Sequence, residues 1–211
     1  MKLYHYVHCP FCVRIRMVLG FLSYKYESIV LSYDNEETPI QLTGTKMLPI
    51  FDFGTNIINE SLDIIKGLDK KNTLKDQRYY ESQKAIDSLL SLIGKDVHSL
   101  AMPYWMWTPE FNDSSRSYFQ NKKGKKRGPF KDLVQNADIY KSNIADTLAA
   151  LERNLTPFYK TDSMTLVDIL IASHLWGLYI VPEFQFSDKL NSYLQKIKQN
   201  CYFNYHEDFW N

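Results

Sequence analysis

The sequence has few cysteines: only Cys9, Cys12 and Cys201 occur among its 211 residues. Three is an odd number and too few for the disulfide framework of a small secreted domain, so the count favours a reducing compartment. An excess of charge of one sign is also missing, because 25 basic and 24 acidic residues leave a net charge of +1. No overall field therefore attracts nucleic acid or anionic lipid.

Long hydrophobic runs are absent as well. The most apolar later segment, residues 166–181, is interrupted by polar side chains and falls short of a membrane span. At the N-terminus, Cys9-Pro10 follows before the apolar region of a signal peptide could develop. We therefore expect a soluble cytoplasmic protein that does not enter a membrane.

The first third of the chain alternates short strand-like and helix-like segments. Apolar and β-branched residues predict strands at 3–7 and 26–31 and a hairpin formed by 48–51 and 56–58. Helical patterns follow Cys9-Pro10 and recur at 38–42 and 59–65. The order β-α-β-α-β-β-α predicts an α/β thioredoxin-like N-terminal domain over residues 1–68.

The remaining chain has the pattern of helices. Charged residues 69–76 predict a linker, and residues 77–211 predict an all-α C-terminal domain. One apolar stripe covers 86–100 and ends before Pro103, and a longer one covers 133–155. Further helices are predicted from Thr165, capped by Asp168, and over 187–199. The aromatic tail 202–210 is expected to pack against the domain.

Cys9-Pro10-Phe11-Cys12 has the spacing of a redox-active pair, between a predicted strand and a predicted helix. At the helix start, unpaired N–H groups and the helix dipole stabilise a thiolate, so Cys9 is the expected nucleophile. Cys12 lies one turn deeper and is the expected resolving thiol, which attacks a mixed disulfide on Cys9. We expect Cys201 to be an inert core thiol.

The histidines and the third cysteine do not extend this pair into a metal site. Half a zinc site would need two more ligands, and Cys201 and the five histidines offer no suitable spacing, so we expect no metal. His8 could lower the pKa of Cys9, but adjacent side chains rarely point the same way, which favours a solvated His8 without a role. His5 is expected to be an ordinary surface or core residue.

Two other motifs are compatible with the same site. Leu48-Pro49 begins a predicted strand, where a cis proline would expose the backbone of Leu48 to an extended peptide. A trans proline at a strand start is the alternative, which base rates favour. Glu60-Ser61 begins a predicted helix and could offer a hydroxyl and N–H groups to a carboxylate, or could simply cap that helix.

These three motifs resemble the glutathione site of glutaredoxins and glutathione transferases. The segment from Thr165 to Ile169 resembles the capping box of the transferases, and the helical half excludes a small single-domain glutaredoxin. The whole chain resembles the bacterial two-domain glutaredoxins of the glutaredoxin 2 family, most clearly in its first half. The other matching segments are Met1-Lys2-Leu3-Tyr4, His8-Cys9-Pro10, Glu37-Thr38-Pro39 and Glu60-Ser61-Leu62-Asp63-Ile64.

The resemblance implies a glutathione-transferase-like architecture and glutathione as the reducing co-substrate. It implies that Pro49 is a cis proline, that Leu48 pairs through its backbone with the cysteine of glutathione, and that Glu60 with Ser61 holds the γ-glutamyl end. Phe11 stands where the family often has tyrosine, which removes a hydroxyl near the sulfur. The glutathione-binding residues implied are Cys9, Phe11, Leu48, Pro49, Glu60 and Ser61.

The expected function is glutathione-dependent reduction of protein disulfides and of mixed disulfides between proteins and glutathione, by a protein that acts as a monomer. A cysteine-type glutathione transferase is the main alternative, although it would have no need of Cys12. A non-enzymatic interaction module is the third, supported by the basic run 122–127. That run is short and broken by glycine, so we expect a solvated loop that does not bind nucleic acid.

Overall fold

The computed structural model describes residues 1–204. Its first part has the element order that the sequence predicts, and the thioredoxin-like fold is confirmed. The elements are β1 (Lys2–His5), α1 (Pro10–Phe21), β2 (Glu27–Val30), α2 (Glu37–Thr43), β3 (Ile50–Asp52), β4 (Ile57–Ile58) and α3 (Ser61–Leu68).

The four strands form one mixed sheet in the order β2-β1-β3-β4. β1 runs parallel to β2 and antiparallel to β3, and its Leu3 pairs with Ser28 and Phe51. Leu3 and Phe51 are completely buried, so burial of the central strands fixes this register. The C-terminal end of β1 leads directly into the segment that contains the cysteines.

Glycine fixes the two tight turns of this half. α2 ends at Gly44, whose φ is +76°, and the β3–β4 hairpin turns at Gly54, whose φ is +83°. The amide of Gly54 also donates to the Asp52 carboxylate at 2.7 Å. Both conformations lie in the left-handed region that glycine adopts without steric cost.

The second part of the chain is helical, and the all-α prediction is confirmed. Residues 69–76 lie between α3 and the first of these helices. The division of the chain at that segment stays a prediction, which limited proteolysis can test. The helices are α4 (Gln77–Glu81), α5 (Gln83–Trp105), α6 (Asp113–Arg127), α7 (Phe130–Gln135), α8 (Ala137–Arg153), α9 (Leu166–Leu175), a 3-10 helix (Trp176–Ile180) and α10 (Asp188–Asn200).

Three helix predictions were wrong in detail. α5 does not end before Pro103 but continues to Trp105, because a proline near the end of a helix removes only one hydrogen bond. The stripe over 133–155 belongs to two helices, α7 and α8, which meet at Asn136. The basic run 122–127 forms the end of α6 and is not a loop. Its residues are polar, so no apolar residues at helical spacing indicate a helix there.

α9 is the centre of the helical part, and every one of its ten residues is buried. It packs against both α1 and α5. The predicted cap at its start is present: the Asp168 carboxylate accepts from the amide of Thr165 at 2.8 Å and from its hydroxyl at 2.9 Å. The same carboxylate accepts from the amide of Tyr159 and the hydroxyl of Tyr193, which ties α9 to two further segments.

α1 also contacts the C-terminal end of the helical part. A Cβ added at Gly20 would overlap the carbonyl oxygen of Cys201, so the two backbones are in direct contact there. The Cys201 side chain is completely buried, as predicted, and burial raises its pKa to about 12. Phe203 packs as expected for the tail, whereas Tyr202 is exposed; the rest of the tail lies outside the described residues. Within residues 1–204, no helix is long and apolar enough to cross a membrane.

Candidate active site

Cys9 and Cys12 lie at the start of α1 with different exposure. Cys9 is the N-cap residue, and its carbonyl oxygen accepts from the amides of Cys12 and Val13 at 2.9 and 2.8 Å. Pro10 occupies the first helical turn, where its missing N–H costs no hydrogen bond. Cys9 is partly exposed, whereas Cys12 is completely buried, and both are free thiols. Only Cys9 is therefore open to a disulfide from outside.

The surroundings of Cys9 favour its thiolate. A hydrogen bond from the Cys12 thiol is the largest of the effects that lower the pKa of Cys9 to about 6. Burial acts in the opposite direction, but the charge of His8 and the amides of Cys12 and Phe11 add to the lowering. A pKa of about 6 makes Cys9 mostly a thiolate at neutral pH. The direction agrees with the helix-start argument, but the Cys12 thiol contributes more than the amides at the helix start.

Cys12 has the opposite character. Burial, the hydrogen bond to Cys9 and the charge of the Cys9 thiolate raise the pKa of Cys12 well above that of an ordinary thiol. The amide of Tyr6 donates to the Cys12 sulfur at 3.4 Å, which only partly opposes this shift. Cys12 is therefore the protonated member of the pair and a hydrogen-bond donor to its neighbour.

His8 is buried beside this pair, and the prediction of a solvated residue was wrong. Its Nδ1 lies 3.6 Å from Oε1 of Glu110, in a pair whose side chains are only 5% and 7% exposed. Glu110 belongs to the segment between α5 and α6. Aromatic rings surround the imidazole within 6 Å of its centroid; they are Tyr6, Tyr33, Trp105, Phe111 and Phe119. No local sequence pattern reveals this pair, because its members are about one hundred residues apart.

Leu48 and Phe11 lie with Cys9 around one cavity of about 250 Å³. The Leu48–Pro49 peptide bond is cis. The opposite wall comes from α5 and α6, with Trp105, Phe119 and Lys123 among its residues. The exposed sulfur thus faces a cavity between the two parts of the chain.

Glu60 and Ser61 border a second cavity of about 600 Å³, which shares Phe11 with the first. Glu60 is the N-cap residue of α3, and Ser61 is its first helical residue. Neither residue lines the cavity that contains Cys9. The sequence prediction of one site formed by three motifs thus corresponds to two adjacent cavities that share Phe11, His98 and Arg127. The Phe11 side chain is 44% exposed.

Arg14 is a site residue that the sequence analysis did not recognise. It is only 4% exposed, and its Nη1 donates to the Ser61 hydroxyl at 3.4 Å. Its guanidinium carbon lies 4.7 Å from the centroid of the Phe11 ring. Burial lowers the pKa of Arg14 to about 10, so it stays charged. Its position three residues after Phe11, on the same helix face, was the available signal.

Comparisons with known proteins agree with this architecture. A model described as "Glutathione S-transferase, N-terminal domain" matches residues 3–76. A model described as "Glutaredoxin 2, C terminal domain" matches residues 85–207, which is more than half of the chain. Among the described residues, no group of three or more His, Cys, Asp or Glu side chains could hold a metal ion.

Whole-chain relatives give the same assignment. Glutaredoxin 2 of Escherichia coli (strain K12) is 30% identical over 212 residues, with 97% of each chain covered. A crystal structure of glutaredoxin 2 from Salmonella typhimurium in complex with glutathione superposes with a TM-score of 0.87, at 28% identity, over 98% of this chain and 97% of that chain. A glutathione S-transferase of Ceriporiopsis subvermispora shares the fold, with a TM-score of 0.79 at 16% identity over 94% and 96% of the two chains. The glutaredoxin assignment made from the sequence is confirmed, and the chain belongs to the glutaredoxin 2 family.

Proposed function

We propose that this protein is a glutathione-dependent thiol–disulfide oxidoreductase that reduces protein disulfides and mixed disulfides between proteins and glutathione. One observation carries the proposal: a partly exposed Cys9 with a lowered pKa lies beside a buried Cys12 with a raised pKa. Dithiol exchange needs this asymmetry, because one sulfur must attack first and the other must wait.

Glutathione is the proposed reductant. The relative from Salmonella typhimurium was solved in complex with glutathione. We assign Cys9, Phe11, Leu48 and Pro49 to the sulfur-bearing part of glutathione, and Glu60 with Ser61 to its γ-glutamyl end.

Arg14 supports this assignment. Its Nε is buried without a hydrogen-bond partner among the described residues, and a guanidinium beside Ser61 suits the α-carboxylate of a γ-glutamyl group. We therefore add Arg14 to the proposed glutathione-binding residues.

For a glutathionylated protein, the Cys9 thiolate attacks the glutathione sulfur. A bond forms between Cys9 and that sulfur, the old disulfide breaks, and the protein sulfur leaves as a thiolate that takes a proton from water. A second glutathione thiolate then attacks the Cys9 mixed disulfide, which yields oxidised glutathione and regenerates Cys9. This branch does not use Cys12.

For a protein disulfide, Cys9 first forms a mixed disulfide with the substrate. Cys12 then loses its proton and attacks the Cys9 sulfur, which releases the substrate as a dithiol and closes the Cys9–Cys12 bond. Two glutathione molecules reopen that bond and leave as oxidised glutathione. The raised pKa of Cys12 keeps it protonated until Cys9 has lost its negative charge.

Three serine variants test the proposal on two disulfide substrates and one electrophile. Cys9→Ser should abolish both reductions, since it removes the nucleophile. Cys12→Ser should keep the reduction of glutathionylated substrates and lose most reduction of protein disulfides. Cys201→Ser is the matched control and should change neither activity, because its side chain is buried and belongs to neither cavity.

A glutathione transferase would behave differently in the same experiment. It would conjugate the electrophile to glutathione, and Cys12→Ser would have almost no effect in any assay. A wild-type protein that reduces neither disulfide would refute the proposed function. The monomeric state and the cytoplasmic location stay predictions; size-exclusion chromatography with light scattering tests the former.

A further inference from the structure

The last turns of α6 present three basic side chains to the cavity that contains Cys9. Lys123, Lys126 and Arg127 all line it, at the i, i+3 and i+4 positions of one helix face. Lys122 and Lys125, from the same basic run, do not line it. One face of the basic run therefore borders the cavity of Cys9, and the face with Lys122 and Lys125 does not.

Within residues 1–204, no salt bridge involves any residue of the run, although the charge of Asp96 acts on Arg127. The residues that line the cavity in the described part of the chain also include no Asp or Glu. The cavity walls thus carry three cations against the single thiolate of Cys9, so the local field favours an anion beside the three cations.

Lys123 differs from Lys125 in its surroundings: its Nζ lies 5.9 Å from the centroid of the Tyr33 ring, and it forms no salt bridge with a carboxylate of the described residues. Basic residues in the last turn of a helix stabilise its dipole, which is sufficient for the exposed Lys125. Lys123 is half-buried, and burial lowers its pKa while the Cys9 thiolate acts in the opposite direction. Removal of an ammonium group from water without a paired anion is unfavourable, and an acidic ligand would offset that cost.

Arg127 is held in position by its neighbours. Its Nη1 donates to the carbonyl oxygen of Lys95 at 2.9 Å and to the hydroxyl of Ser99 at 3.0 Å. It lines both cavities, whereas Lys123 and Lys126 line only the one with Cys9. Lys123, Lys126 and Arg127, here called the basic wall, therefore begin at the boundary with the proposed γ-glutamyl site and continue along the cavity of Cys9.

The proposed position of glutathione indicates which part of the substrate contacts Lys123, Lys126 and Arg127. In the proposed function, glutathione lies against Leu48 and the start of α3. The other partner of a mixed disulfide then extends from the sulfur towards α5 and α6, over Met102, Trp105 and Phe119. The three cations lie in this direction. A substrate with a carboxylate near its modified cysteine would therefore place that carboxylate beside opposite charges.

We propose that Lys123, Lys126 and Arg127 select glutathionylated protein segments that carry an acidic residue next to the modified cysteine, an inference that rests on the proposed function. The chemistry is that given above: Cys9 takes the glutathionyl group, and the sulfur of the acidic segment leaves as a thiol. The basic wall contacts the leaving segment and not the reacting sulfur atoms.

The test uses two capped glutathionylated peptides that differ only by Glu or Gln beside the cysteine. For each enzyme variant, the ratio of kcat/KM for the Glu peptide to that for the Gln peptide is measured at low salt. The wild type should prefer the Glu peptide by about fivefold, as expected for partly exposed ion pairs, and the preference should fall towards one in about 0.5 M salt.

Matched variants on the same helix complete the design. The double variant Lys123→Gln/Lys126→Gln should bring the ratio close to one, whereas Lys125→Gln, with a neighbouring charge removed, should keep the wild-type ratio. Because the ratio is taken within each variant, any change in the reactivity of Cys9 cancels.

The outcomes separate the two proposals. A wild type that reduces both peptides equally, or a Lys125→Gln variant that loses the preference to the same extent as the double variant, overturns the acidic-segment proposal and leaves the proposed function intact. A wild type that reduces neither peptide, nor the mixed disulfide of glutathione and mercaptoethanol, overturns both.

Discussion

The hydrogen bond from Cys12 to Cys9 can be tested by its removal. Cys12→Ala deletes the thiol that contributes most to the lowered pKa of Cys9. Hydrogen bonds to charged groups contribute about 1.5–3 kcal/mol, and a thiol is a weak donor, so the lower end applies. One pKa unit corresponds to about 1.4 kcal/mol, so the pKa of Cys9 should rise by about one unit.

The consequence for reactivity at pH 7 follows from the thiolate fraction. A pKa of about 6 leaves about 90% of Cys9 as thiolate, against about 3% for a free thiol at about 8.5. In Cys12→Ala the fraction should fall to about half. Since intrinsic nucleophilicity increases with pKa, the rate at neutral pH should change by less than twofold, and the pH profile should shift instead.

The assay is the rate of iodoacetamide alkylation as a function of pH, with mass spectrometry to locate the modified residue. The wild type should show an inflection near pH 6, and Cys12→Ala one about a unit higher. Cys201→Ala should retain the wild-type profile, because that thiol is buried and does not line the cavity of Cys9. A wild-type inflection near 8.5, or an unchanged inflection in Cys12→Ala, would refute the reasoning.

Three predictions concern stability, measured as the free energy of unfolding in urea. Gly20→Ala should lower the free energy of unfolding by about 1–3 kcal/mol, because the new Cβ overlaps the Cys201 carbonyl oxygen. Gly124→Ala is the control and should stabilise α6 slightly, because its Cβ meets no atom within 4 Å. Equal effects of the two substitutions would contradict the contact between Gly20 and Cys201. Asp168→Ala should cost about 3 kcal/mol or more, since buried donors on three residues lose their acceptor; Asp146→Ala, at an exposed helix position, is the control. Burial lowers the pKa of His5 to about 4 and those of His98 and His174 to about 3. The unfolded chain therefore binds more protons than the folded one below pH 6.5. Stability should fall from there to about pH 4 for the contribution of His5 and to about pH 3 for those of His98 and His174, by about 2 kcal/mol for each histidine at pH 5. A constant free energy of unfolding over that range would contradict the burial of these rings.

The sequence predicted those features that depend on local pattern. Strand and helix order in the first half follows from short apolar segments bounded by proline and glycine, and Cys9 at a helix start follows from Pro10 alone. The cap of α9 was equally local, because Thr165 and Asp168 are three residues apart. Each of these features depends only on residues close to it in the chain, so the local sequence is sufficient to predict it.

The sequence could not predict contacts between distant segments. His8 is next to Cys9 in the chain, yet the rings around it come from the segments after β1 and β2, from α5 and α6, and from the segment between those two helices. Its burial therefore depends on the packing of both halves. Arg14 was not recognised, because a charged residue away from the apolar stripe of a helix normally faces water. α6 was missed because the helix face that lines the cavity of Cys9 is basic. A helix without an apolar stripe has no hydrophobic period that a sequence pattern could reveal.

The His8–Glu110 pair has a consequence for how this architecture can be divided. Glu110 belongs to the helical half, whereas the imidazole it faces belongs to the half that carries both cysteines. A fragment limited to the thioredoxin-like half would keep the complete Cys-Pro-Phe-Cys segment and the rings of Tyr6 and Tyr33. It would lose the acid opposite His8 and the rings of Trp105, Phe111 and Phe119. His8 is one of the groups that lower the pKa of Cys9, so the helical half influences the sulfur through the surroundings of His8, although the largest effect, that of Cys12, lies within the first half.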